Sequence, residues 1–277
     1  MLSTKLTIAF AVFSAALWAQ WPAYKTPGAP RTATGEVDLS APAPRTADDR
    51  PDLSGIWDRA LPPGAPPPPS VEFGTPSTAG PGPFQNLPSL VPGGMPFLPW
   101  AADLRRERAV ENSKDHPDVH CLPLHPVNMH SHPFPRKVVQ TPDLVLILYE
   151  VNGGIRQIFT DGRPLPPGLL TGEVQPWWYG YSTGKWEGDT LVAETAGFLD
   201  LGWLDYEGTP ITSTGRVTER FRRLNYGTLE IQITVNDPKT FTKPWTVTLQ
   251  QRLMPDSELI EFVCQENNRS EGHLVGR

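Results

Sequence analysis

Cysteine is almost missing from this chain of 277 residues: Cys121 and Cys264 are the only two, so at most one internal disulfide can form. Positive charge is also scarce. Lys and Arg total 24 against 30 Asp and Glu, a formal net charge of −6, and no Lys/Arg-rich run occurs. Such a balance makes nucleic acid and anionic membrane surfaces poor partners. Long apolar runs are lacking after the first twenty residues, which excludes an integral membrane helix in the remainder of the chain. Helical patterns alternating with strands are absent too, which argues against a parallel α/β sheet.

What is present begins with "MLSTKLTIAFAVFSAALWAQ". An early lysine, an apolar run from Leu6 to Trp18 and a small residue at Ala19 have the pattern of a secretory signal peptide over 1–19. Export to a secreted or periplasmic location follows, and in an oxidising compartment Cys121 and Cys264 most simply form a disulfide. Free thiols or a thiolate ligand are the alternatives.

Two grammars follow the leader. Residues 20–98 are dense in proline ("LPPGAPPPPS", "PGPFQNLPSLVPGGMPFLP"), so this stretch reads as an extended arm that docks apolar anchors on a core. A short strand is expected from Leu53 in "PDLSGIWDRA", and a mobile portion is expected around 61–82. One short helix is expected from Pro99, a residue suited to a first helical position. From Lys137 onward the pattern is β, with a hairpin tip at Gly188-Asp189 and period-two alternation in "TLEIQITV", "WTVTLQQRL" and "ELIEFVCQE". Turn signals every eight to twelve residues predict an antiparallel β-barrel or sandwich over 99–277, with a helix at its start.

Taken in order, "PDLSGIW", "PWAADLRRER", "CLPLHP", "RQIFTDGRPLP", "YGYSTGKWEGDTLVAETAGF" and "TERFRR" resemble a large uncharacterised family of exported bacterial proteins. The resemblance implies export and a β-rich, lipocalin-like barrel. Gly55-Ile56-Trp57, with an arginine from a late strand such as Arg220 or Arg252, is similar to the calycin packing of a tryptophan beneath an arginine.

Four candidate chemistries stand out. "DHPDVHCLPLHPVNMHSHPF" holds five of the six histidines. If the prolines keep it extended, His130 and His132 project to one side, with His120 or His125 as a further donor, and zinc or copper would be the metal. His116 and His120 share a side only if the turn between them is helical. "GYSTG" matches a nucleophile elbow at Ser182, but a hairpin follows where that elbow needs a helix. Glu150 and Glu194 lie on apolar strands and are the candidate acid/base pair. Finally, Trp177, Trp178, Tyr181, Trp186 and Trp203 are dense enough to form a ligand-binding face. The favoured reading is an exported β-barrel that binds a small apolar, aromatic or carbohydrate ligand. The alternative is an exported enzyme, working through the histidines with a metal or through Glu150 and Glu194.

Overall fold

The computed structural model describes residues 24–60, 87–111, 113–200 and 202–266. The leader at 1–19 and the proline-rich portion at 61–82 lie outside the described residues.

Nine strands close into one barrel in chain order. They are β1 (Gly55–Arg59), β2 (Arg136–Gln140), β3 (Leu144–Tyr149), β4 (Ile155–Phe159), β5 (Tyr181–Glu187), β6 (Thr190–Ala196), β7 (Arg216–Asn225), β8 (Thr228–Asn236) and β9 (Trp245–Leu253). β9 returns to β1 with Trp57 opposite Leu253 and Asp58 opposite Arg252. The segment assigned to the arm therefore supplies the strand that closes the ring.

The odd strand number dictates one departure from an antiparallel barrel. A circuit of the ring must restore strand direction, so the number of antiparallel steps is even. With nine neighbour pairs, one must be parallel, and it is β4 with β5, through Ile158–Ser182 and Phe159–Thr183. A parallel pair cannot be joined by a tight hairpin and needs a crossover of a dozen residues or more. Residues 160–180 provide it, and they carry Trp177, Trp178 and Tyr179.

Alternation fills the interior. On β8, Leu229, Ile231, Ile233 and Val235 are buried; on β9, Trp245, Val247, Leu249 and Leu253 are. The strand expected over "ELIEFVCQE" does not form, because β9 already pairs with both β8 and β1 and leaves no free edge for it. Residues 257–263 have no regular structure and Cys264 lies in a turn. The disulfide does form: Cys121 and Cys264 are joined, with their Cα atoms 5.5 Å apart.

The expected helix is present as α2 (Pro99–Val110), after a short α1 (Leu87–Leu90). The histidine stretch is not extended. Two of its prolines act as first helical residues: Pro117 opens a 3₁₀ turn to His120, and Pro126 opens α3 (Pro126–Ser131).

Trp57 is fully buried, and its indole N–H donates to the Leu53 carbonyl at 2.9 Å. The arginine over it is Arg223, 4.9 Å from the ring centroid, and not Arg220 or Arg252. Strand phase explains the difference. Val217, Phe221 and Arg223 face inward on β7, so Arg220 faces out and pairs with Glu187 at 3.0 Å, and Arg252 is likewise exposed. The described part of the arm is docked. The Gly227 and Tyr226 amides donate to Leu39 and Ala41, and Arg31 pairs with Asp256 at 2.8 Å.

Candidate functional site

The histidines separate into different environments. His125 is the N-cap of α3, its Nδ1 accepting from the Val127 amide at 3.2 Å. In the neutral ring the proton then sits on Nε2, which is buried and has no hydrogen-bond partner among the described residues. Burial pushes this imidazole down to about 3. His116 caps the 3₁₀ turn at Pro117 in the same way, touches Trp203 and Tyr206, and is pushed down to about 4, again chiefly by burial. His132 is buried 3.6 Å from Asp118 and stacks on Phe134. His120 is exposed and bonds the Lys114 carbonyl.

His130 joins a network inside the barrel. Its Nε2 lies 2.7 Å from Glu219 Oε1, and Gln251 Nε2 lies 3.3 Å from its Nδ1. A carboxylate only accepts, so Nε2–H donates to Glu219 and Nδ1 accepts from Gln251. This is the pattern of a neutral ring, and burial lowers the His130 pKa accordingly. Arg156 grips both oxygens of Glu219 and also donates to Ser182 and, at 2.9 Å, to Thr195. Both ions are at most 1 % exposed. The paired guanidinium outweighs desolvation and holds Glu219 well below the usual carboxylate range. Nearby, the buried Tyr149 hydroxyl finds no hydrogen-bond partner among the described residues, and burial raises its pKa against the opposing pull of Arg156.

The network leaves little trace in the sequence, because Glu219 and Arg156 stand at inward positions of strands whose neighbours are apolar or charged without clear phase. The usable signal was Val217 and Phe221 flanking Glu219 at period two. Ser182 is inside the barrel, and its hydroxyl partners are Arg156 and Thr195 rather than a histidine.

The expected zinc or copper set does not assemble. Among the described residues, no group of three or more His, Cys, Asp or Glu side chains is placed to hold a metal ion. Helical turns replaced the extended backbone that would have kept His130 and His132 on one side. The two carboxylates are likewise separate. Glu194 is exposed on β6, between Thr183 and Thr218, whereas Glu150 is buried at the end of β3, where Ile260 N donates to it.

The aromatic residues do gather, on the outside of the barrel. Trp177, Trp178, Tyr179 and Tyr181 wall a cleft of about 310 Å³, whose floor includes the outward-facing Gln157 and Phe159 of β4. Tyr181 stacks on Phe159 at 5.3 Å and meets Trp177 at 5.7 Å. Arg163, paired with Asp161, lies 4.0 Å over Phe159 and reaches the Tyr181 hydroxyl. The result is a continuous ladder of Arg163, Phe159, Tyr181 and Trp177. Gly180 makes the chain's return to β5 possible: its φ is +65°, and a Cβ there would lie 2.7 Å from both Phe198 and Thr195.

Trp178 also borders a second cleft of about 360 Å³, with Trp203, Arg108 and Leu122. Trp203 is 3 % exposed, and Arg108 covers its ring at 4.3 Å. Trp186 stands apart, packed against the core under Arg50. No protein-family model matches the chain, and no curated protein or solved structure is significantly similar to it.

Proposed function

We propose that this is an exported binding protein whose ligand is a small carbohydrate, taken by the outer aromatic cleft of the β4–β5 crossover. The observation that carries the reading is Trp177, left 41 % exposed on a ladder of stacked rings. Sugar rings present apolar C–H faces to aromatic rings and hydroxyls to planar polar groups, and Gln157, Arg163 and the Tyr181 hydroxyl stand at this ladder's edge. A volume near 310 Å³ suits about one or two sugar rings. The disulfide and the apolar leader support export.

The interior supports binding outside rather than within. Its described side chains interdigitate around Trp57, Ile147, Ile158 and Ile233, with the Arg156–Glu219 pair among them. That pair serves as an internal strut in this reading, not as acid/base machinery.

The test is a tryptophan-fluorescence titration with a panel of mono- and disaccharides. Covering the exposed part of Trp177 removes roughly 80–100 Å² from water, worth about 2 kcal/mol, so Trp177→Ala is expected to weaken binding ~30-fold. Trp186→Ala should leave the affinity unchanged. Saturable binding that Trp177→Ala does not weaken, or no saturation with any sugar, would overturn the proposal.

A further inference from the structure

A further cleft, of about 570 Å³, lies between the turn after β3 and the segment 259–265 that the disulfide holds against the barrel. Its walls are apolar: Leu148, Ile155, Leu259, Ile260, Phe262 and Val263. Four of these are unusually exposed for their type, with Ile155 at 59 %, Val263 at 55 %, Ile260 at 41 % and Phe262 at 38 %. Contiguous exposed apolar surface of this kind marks an interaction site more often than chance.

One charged side chain is set into this apolar lining. Glu150 is only 7 % exposed, and among the described residues its carboxylate accepts a single long hydrogen bond, 3.4 Å from the Ile260 amide. Among the described residues no Lys, Arg or His lines the cleft, and its wall carries a second carboxylate, Glu261, beside the Tyr149 phenol. Asp58 on β1 adds further negative charge nearby. A carboxyl held among apolar groups without a cation is under-satisfied, and burial together with Asp58 raises its pKa.

We infer that this cleft binds a small amphipathic cation, an apolar body seated against Phe262 and Ile155 with an ammonium head on Glu150. The site is separate from the aromatic cleft, although Ile155 borders both. The negative lining disfavours an anionic ligand, and the apolar walls disfavour a fully hydrated ion. The disulfide fixes the wall formed by residues 259–265, so the cleft is pre-shaped without regular secondary structure.

The probes are hexylammonium and hexan-1-ol, which share an apolar body and differ in the head group. Binding to the full-length mature protein is followed at pH 7.5 by amide shifts in ¹⁵N-labelled NMR spectra. Hexylammonium should bind about tenfold tighter than hexan-1-ol, because a charge-assisted contact replaces a neutral one. Glu150→Gln should abolish that preference and leave hexan-1-ol binding intact, whereas Phe262→Ala should weaken both ligands. The Ile260 amide, which donates to Glu150, is an internal reporter in the unaltered protein: it should move with hexylammonium and much less with the alcohol. Equal affinities for the two probes, a preference that survives Glu150→Gln, or an Ile260 amide that responds to both alike would overturn the inference. Trp177→Ala should leave all of these readings unchanged, which separates this site from the carbohydrate cleft.

Discussion

Mild acid should destabilise this protein through its histidines. In an unfolded chain an imidazole titrates near 6.5, but His116 is held down to about 4 and His125 to about 3 by burial. Above pH 6.5 both states leave these rings neutral, so the native structure has its full stability. Below that value the unfolded chain takes up protons that the native state refuses, and the lowered native pKa values make stability fall with pH. Each histidine costs up to about 1.4 kcal/mol per pH unit, so the pair costs about 3 kcal/mol between pH 6.5 and 5. His130 and His132, also shifted down, act in the same direction, while the raised carboxyls of Asp205 and Glu150 offset part of the loss. A domain typically has about 5–15 kcal/mol in hand, so a substantial share of that reserve is at stake. Urea unfolding at pH 7.5, 6.5, 5.5 and 5.0 reads the slope directly. His125→Asn retains an N-cap acceptor and removes the titration, so it should flatten the slope by about 1.4 kcal/mol per pH unit. Stability that stays level from pH 7 to 5, or a slope indifferent to His125→Asn, would refute the reasoning.

Glu219→Gln should cost about 3–5 kcal/mol in urea unfolding, because Arg156 is then a buried ion without its counter-charge. Replacing both partners by Met and Leu should recover much of that loss, since the double variant buries no charge. Opening the Cys121–Cys264 bridge releases a loop spanning 143 positions, and chain entropy sets the stabilisation at up to ~5 kcal/mol. The Cys121→Ala/Cys264→Ala variant should therefore unfold at markedly lower urea, with reductant reproducing the effect on the unaltered chain.

The β strands were readable because they obey period two and are bounded by Gly, Pro and Asp turns; the β5–β6 hairpin has its tip at Gly188-Asp189 as the sequence implies. Closure was less legible. Nothing local in "ELIEFVCQE" says that β9 has no vacant side, so a segment with strand-like alternation is left as irregular chain. Parity is a property of the whole ring, and the parallel β4–β5 step appears only once nine strands are counted. Proline misled in the histidine stretch: Pro117 and Pro126 stiffen the chain there, but as the first residues of helical turns. Trp177, Trp178 and Tyr181 were legible as a group, whereas Trp186 and Trp203 were drawn off by Arg50 and Arg108 from distant segments. Glu219 and Arg156 stayed hidden because each is an inward charge that makes sense only beside the other.

The carbohydrate reading meets its most direct test in fluorine NMR of protein labelled with 5-fluorotryptophan, recorded during the saccharide titration. The account predicts that the resonances of Trp177 and Trp178 move together and saturate, while those of the buried Trp57 and Trp245 stay fixed. Saturable shifts confined to Trp57 or Trp245, or to any tryptophan outside the crossover, would contradict it.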